Sequence, residues 1–275
     1  IAPELQVIVS DRNFHKLWYN VSGLSEIEFL ANNTAEQLNL TKFWNNLPHG
    51  WFTVNIYAND TFNQINDTYT LRLYKDVKAP WITIDSPLNE SSHTITPDLQ
   101  VVVSDRNFHK LWYNVSGLSE IEFLANNTAE QLNLTKFWNN LDHGWFTVNI
   151  YANDTFGQTN ESISLHLYKD IRAPWIMILA PINETSCSSP PELNIAAYDK
   201  NLDKIWYTVD GFTAKEYLKN NTAELLNNTT PGPDFWANIP DMSWFTIRIY
   251  ANDSFNQINN TFTLRLYKDL KSPQM

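Results

Sequence analysis

The segment His143 to Thr155 recurs at His49 to Thr61 and, diverged, at Met242 to Ser254. Apolar and polar side chains alternate along it. Phe146, Val148, Ile150 and Ala152 fall on one side, and Trp145, Thr147, Asn149 and Tyr151 on the other, the mark of a half-buried strand. Each copy stops in a polar turn that carries an aspartate. A long two-sided strand of this kind must bury one face against a second sheet, so each copy needs a sandwich around it.

The recurrence also sets the organisation. Asp11, Asp105 and Asp199 are spaced by 94 residues, and 3–62 match 97–156 except at Glu4/Asp98, Ile8/Val102 and Pro48/Asp142. The third copy carries five extra residues, mostly around Thr229 to Asp234. This period is too long for a solenoid unit and right for a bead with its own core. The expected domains are 1–79, 80–173 and 174–275.

The strands of the second repeat read off in order. Trp81 to Ile84 opens it, as Trp175 to Ile178 opens the third. Leu99 to Val103, Lys110 to Val115 and a short Glu120 to Leu124 follow. The segment Asn126 to Leu141 is less regular, with helical turns expected from Thr128 and around Thr135 to Trp138. The central strand and then Ser162 to Tyr168 complete it. About seven short strands with turns between them predict an all-β chain of tandem seven-stranded antiparallel β-sandwiches. The core expected for the second repeat is Leu99, Val101, Val103, Leu111, Tyr113, Val115, Phe146, Val148, Ile150, Leu165 and Leu167. The first repeat has no opening strand, because Ile1-Ala2-Pro3 aligns with Ile95-Thr96-Pro97. Two expectations stand side by side: the chain is a window from a longer array, or a neighbouring chain donates the missing strand.

A net charge of -11 argues against nucleic acid and against anionic membrane surfaces. The sequence has no run of 18 apolar residues to span a membrane and no signal peptide; it starts at Ile1 rather than Met, as a processed product or a piece of something longer does. The single cysteine, Cys187, allows no internal disulfide and reads as a turn residue rather than a catalytic thiol. Asparagine is abundant, at 34, and 17 Asn-X-Ser/Thr triplets occur where about 5 are expected from composition. They are Asn20, Asn32, Asn39, Asn59, Asn66, Asn89, Asn114, Asn126, Asn133, Asn153, Asn160, Asn183, Asn220, Asn227, Asn228, Asn252 and Asn259. The repeats inflate this number, yet the excess points to a heavily N-glycosylated extracellular protein.

Four segments together carry a resemblance. They are Pro80-Trp81-Ile82-Thr83-Ile84, Ser104 to Val115, Trp145 to Gln158, and Leu167-Tyr168-Lys169-Asp170 with the proline that follows. The chain resembles the tandem Ig-like or cadherin-like repeats of archaeal surface proteins and is similar to bacterial adhesin Ig repeats. The likeness covers nearly all of it. Asp142-His143-Gly144-Trp145 resembles the corner before a central strand in immunoglobulin-type folds. What the resemblance implies is an Ig-like fold at the cell surface, in stalks, adhesins, surface layers or threads. It supplies no catalytic residues to carry over.

In an Ig-type sandwich the loops after Asp105 and Asp154 share one end with the entering strand, and Asp76 leads into that strand. Asp76, Asp105 and Asp154 are therefore expected to converge, as are Asp170, Asp199 and Asp253. Clustered carboxylates suit Ca²⁺, a hard cation taking six to eight oxygens; against this, such aspartates commonly cap turns through their own backbone. A second candidate is an aromatic face of Trp112, Trp145, Tyr151 and Tyr168, with Trp206, Trp244, Tyr250 and Tyr267 in the third repeat. It can stack on sugars or be covered by packing. The histidines fit no zinc spacing, and no catalytic constellation is visible. The function expected is non-enzymatic: a structural glycoprotein of a cell-surface stalk, thread or filament, partnered by copies of itself or neighbouring repeats. The alternative is an adhesin module binding surface glycans or cells through its aromatic face.

Overall fold

The computed structural model describes residues 1–226 and 234–271, apart from the side chains of Glu161 and Ser162. The triplets at Asn227 and Asn228, most of the insertion and the chain beyond Lys271 lie outside the described residues.

The first repeat contains β1 (Glu4–Gln6), β2 (Phe14–Val21), β3 (Ile27–Phe29), β4 (Ala35–Gln37), β5 (Gly50–Asp60) and β6 (Ile65–Lys75). The second contains β7 (Trp81–Ser86), β8 (Ser92–His93), β9 (Asp98–Ser104), β10 (Phe108–Val115), β11 (Ile121–Phe123), β12 (Ala129–Gln131), β13 (Gly144–Asp154) and β14 (Thr159–Lys169). The third contains β15 (Trp175–Ala180), β16 (Ser186–Cys187), β17 (Glu192–Tyr198), β18 (Leu202–Val209), β19 (Lys215–Leu218), β20 (Thr222–Leu225), the one-turn helix α1 (Phe235–Asn238), β21 (Ser243–Asp253) and β22 (Ile258–Lys268).

The second repeat is a sandwich of β11-β10-β13-β14-β8 over β12-β9-β7. The third repeats it as β16-β22-β21-β18-β19 over β15-β17-β20, and the first has only β3-β2-β5-β6 and β1-β4. The chain is a tandem of Ig-like β-sandwiches. Two details differ from the sequence expectation. A complete repeat has eight strands, because β8 and β16 pair parallel to β14 and β22. Two residues are too few to show a period. The turn expected from Thr128 is strand β12, aligned Ala129↔Gln100 and Gln131↔Asp98. The second expected helical turn appears as a 3-10 turn at Trp138–Asn140.

All eleven core residues expected in the second repeat are buried, none more than 7% exposed. The irregular segment adds Leu132, Phe137 and Trp138 to that interior. The Tyr113 hydroxyl accepts from Asn133 N at 2.9 Å, and burial pushes this phenol up to about 12. Each interior also holds a lysine. Lys169 Nζ donates to Trp138 O at 2.7 Å and Leu141 O at 2.8 Å, and lies 4.9 Å from the Trp138 ring. Lys75 does the same to Trp44 and Leu47, and Lys268 to Trp236 and Ile239. The ammonium supplies the donor to Leu47 O and Leu141 O and adds a second donor to Trp44 O and Trp138 O, which already accept from Leu47 N and Leu141 N.

By contacts the chain divides into two compact units. One is Ile1–Trp81 with Val103–Lys110 and Ala152–Asn160; the other is Ile82–Val102, Leu111–Tyr151 and Glu161–Met275. Each unit carries one of the expected aspartate groups whole.

In the first unit, no described strand occupies the place that β7 and β8 take in the second repeat. β1 shrinks to 3 residues where β9 and β17 have 7. An open groove of about 680 Å³ runs between Gln6–Asp11 and the β6 residues Ile65, Tyr69 and Leu71.

Candidate functional site: two aspartate clusters at the repeat junctions

In the first unit Asp76 follows β6, Asp105 follows β9 and Asp154 closes β13. Their nearest ligand oxygens all lie within 4.8 Å of one another. The turn after β13 is built by Asp154 itself. Its Oδ1 accepts from Phe156 N at 2.9 Å and Gln158 N at 2.7 Å, and its Oδ2 from Gln158 Nε2 at 2.8 Å. Gly157 takes the positive φ of +80° that this turn requires. Asp105 Oδ1 accepts from Asn107 N at 2.6 Å, and Asn107 Nδ2 donates to Asp76 Oδ2 at 2.7 Å. His49 Nδ1 stands 3.5 Å from Asp76 Oδ1.

The second unit builds the same arrangement from Asp170, Asp199 and Asp253, again within 4.8 Å. Asp170 and Asp253 are fully buried. Asn201 N donates to Asp199 at 2.6 Å and Asn201 Nδ2 to Asp170 at 2.6 Å. Gln257 Nε2 reaches both Asp253 Oδ2, at 2.9 Å, and Asp170 Oδ1, at 3.3 Å. His143 Nδ1 is 3.8 Å from Asp170 Oδ1. Burial, followed by repulsion from Asp76 and Asp154, raises Asp105 above the usual carboxylate range against the pull of Asn107 N–H and His49. Asp199 is raised in the same way by burial and then by Asp170 and Asp253.

Both groups of three converge as the loop argument predicts. The donor set fits a hard cation: three charged oxygens, with no sulfur among them. Asp105 and Asp199 each use only Oδ1 in hydrogen bonds among the described residues, which leaves Oδ2 for a cation.

The junctions contain more than the aspartates. Arg106 lies 4.3 Å over the Trp51 ring and 5.1 Å from Tyr74. Lys200 takes the equivalent place 3.7 Å over Trp145 and 4.9 Å from Tyr168, and donates to Glu90 O at 2.9 Å. The linker prolines are held as well: Asn160 Nδ2 donates to Pro80 O and Asn259 Nδ2 to Pro174 O, both at 2.9 Å. Sequence reasoning named none of Arg106, Asn107, Lys200, Asn201, His49 or His143 for this role. For Arg106, Asn107, Lys200 and Asn201 the signal was the 94-residue recurrence of Asp-basic-Asn, which follows β9 and β17 in the complete repeats.

No protein-family profile and no curated protein matches the chain. Among solved structures it is similar to a 1.5-MDa bacterial ice-binding adhesin, at 11% identity and a TM-score of 0.38, over 96% of this chain and 90% of the other. It is also similar to protocadherin gamma B2 extracellular cadherin domains 3-6 (10%, 0.36, 92% and 68%) and to the fibronectin(III)-like modules of Clostridium thermocellum CbhA (14%, 0.30, 71% and 99%). At such low identities and TM-scores these likenesses carry no argument, and the fold rests on the strand order above.

The aromatic side chains form pairs rather than one row. Trp112 stacks on Tyr151 with centroids 5.6 Å apart, and Trp145 meets Tyr168 edge-on at 5.3 Å. The third repeat pairs Trp206 with Tyr250 and Trp244 with Tyr267 in the same way. Lys200 covers the second pair of the second repeat, so Trp145 and Tyr168 belong to the junction. Of the described Asn-X-Ser/Thr asparagines, Asn32, Asn66, Asn89, Asn126, Asn183 and Asn220 are exposed. Asn20, Asn39, Asn59, Asn114, Asn133, Asn153, Asn160 and Asn259 are half-buried, and Asn252 is buried. Cys187 sits on β16 against the third core, where burial pushes its thiol up, away from reactivity.

Proposed function

We propose that this chain is a non-catalytic, load-bearing segment of an extracellular, N-glycosylated surface stalk, thread or filament. The observation that carries the reading is that two junctions are built alike, each from an aspartate trio, an amide bridge and a cation over a Trp/Tyr pair. A joint reproduced position for position, with Lys200 in the place of Arg106, serves regular stacking of repeats. The clusters hold Ca²⁺, which neutralises three mutually repelling carboxylates and stiffens the short linkers. What supports this is the donor chemistry and the raised Asp105 and Asp199.

The filament version works by strand donation into the first repeat. Its support is register. In the third repeat Trp175 lies opposite Tyr198, Ile176 opposite Ala197, Met177 opposite Ala196 and Ile178 opposite Ile195. The corresponding first-repeat positions are Ser10, Val9, Ile8 and Val7, and all four line the open groove. A neighbouring chain's strand of the Trp-Ile-X-Ile kind fits there. The test is a synthetic peptide of residues 80–94 titrated into the whole chain. Saturable binding that is lost in an Ile82→Asp peptide supports donation, and no binding of the parent peptide removes it. Calcium is tested separately by the melting temperature: a rise on adding Ca²⁺, reversed by chelator and absent in an Asp105→Asn/Asp199→Asn chain, is expected. A site saturated to about 100 times its Kd would add roughly 2.7 kcal/mol.

The second reading, glycan or cell binding through the aromatic face, is left with Trp112–Tyr151 in the second repeat and with Trp206–Tyr250 and Trp244–Tyr267 in the third, whose rings already pack on one another.

A further inference from the structure

We propose that the Asn-X-Ser/Thr triplets divide by geometry, with Asn89 and Asn183 as sugar acceptors and Asn32 and Asn220 as backbone clamps closed to modification in the folded chain. This rests on the N-glycosylated reading above and decides which asparagines it concerns. All four residues are exposed, so exposure does not separate them.

Asn32 Oδ1 accepts from Val9 N at 2.9 Å while its Nδ2 donates to Val9 O at 2.9 Å. Asn220 clasps Ala197 in the same way, at 2.8 and 3.0 Å. Both bonds go to a single residue, so the hydrogen in use is the one on the same side of the carboxamide as Oδ1. In N-glycosylation Nδ2 takes the anomeric carbon of a glycosyl diphosphate. The Nδ2–C1 bond forms, the C1–O bond to the diphosphate breaks, one Nδ2 proton is released and the diphosphate leaves. The product is a secondary amide, which keeps the trans form and so places C1 where that hydrogen was. At Asn32 and Asn220 this is the position of the Val9 or Ala197 carbonyl oxygen. The clamp must open before either can react.

Asn89 and Asn183 are held by the other end of the amide. Asn89 Oδ1 accepts from His166 N and Asn183 Oδ1 from Arg265 N, each at 2.8 Å. Neither Nδ2 donates to a described residue. Both sit in the same turn, before Glu90 and Glu184 at φ +64° and +65°, beside Leu88 and Ile182, which are 78% and 81% exposed. Glycosylation keeps the carbonyl oxygen, so the bond to the strand survives it.

The test is treatment of the folded chain with a soluble asparagine glucosyltransferase and UDP-glucose, followed by peptide mass spectrometry. Asn89 and Asn183 are expected to be modified about tenfold or more faster than Asn32 and Asn220, the ratio that opening a clamp of two hydrogen bonds imposes. In the urea-unfolded, refolding-blocked chain the difference should vanish. Equal rates in the folded chain, or no reaction at Asn89 and Asn183, overturn the assignment. Glycopeptides of native material address the broader reading independently: no sugar on any asparagine ends that reading and leaves the in vitro division standing on its own result.

Discussion

Leu71, Leu165 and Leu264 occupy one position in three repeats, yet Leu71 is 39% exposed while the other two are 3% and 1%. The strands around Leu71 and Leu264 are nearly the same in sequence, differing only at Asp67/Asn260 and Tyr69/Phe262. What differs is the strand across the sandwich: β7 and β15 lie beside the second and third cores, and nothing described lies beside the first. Ile82 and Ile176, at 2% and 1% exposed, are the residues that β7 and β15 drive inward. The comparison teaches that closing this fold is the work of a repeat's opening segment, β7 with β8 in the second and β15 with β16 in the third.

The most damaging way to break the comparison is to make the second repeat resemble the first. Ile82→Asp places a charge where an apolar side chain is buried and is expected to cost about 4 kcal/mol. Hydrogen exchange followed by peptide mass spectrometry should show β9 and β14 opening while β17 and β22 stay protected. Protection unchanged in β9 would mean that the strand is not what closes the sandwich. A second pair of variants asks whether the first repeat is open only at the groove. Lys75 and Lys169 are 7% and 5% exposed and hold equivalent carbonyls. Lys75→Met and Lys169→Met should each cost about 2 kcal/mol in urea unfolding, with Leu47 O or Leu141 O left without its donor. A much milder Lys75→Met would show that the looseness reaches that end too.

The smaller effects lie at the junctions. Lys200→Ala should cost about 1 kcal/mol through loss of its place over Trp145, read as faster exchange at Glu90 and Asp170. Asp199 gives the pH test. Burial first, then Asp170 and Asp253, raise its folded pKa, so the folded chain binds this proton more tightly than the unfolded one. Its stabilising share is full in acid and is lost as pH climbs from its ordinary 3.8 through the raised folded value. In chelator, Asp199→Asn should flatten that part of the stability curve; a curve unchanged by the substitution would remove the carboxylate from the account.

Much of this was legible in the sequence because strands two residues in period announce their inward face. Phe146, Val148 and Ile150 are as buried as their alternation required, and the six aspartates met where loop order placed them. The Asn126 to Leu141 segment was legible only in part. A three-residue strand such as β12 has no room for a period, and the short turn ending at Asn140 depends on a lysine almost 30 residues further on in the chain. The Asn32 and Asn220 clamps were hidden for another reason. The triplet that spells a sugar acceptor is also what a backbone-clasping asparagine followed by a polar turn looks like, and only the position of Val9 or Ala197 tells them apart.

The parallel pairing of β8 with β14 has a mechanical consequence. Tyr168 N bonds to Ser91 O, Asp170 N to His93 O, and Glu90 N to His166 O. The chain enters the second repeat ahead of β8 and leaves it directly after β14. Tension along the chain therefore draws these neighbouring strands in opposite directions along their own length. The three bonds are strained together, in shear, rather than opened one after another like a zipper. A second or third repeat resists a pull at its two ends as a latch does.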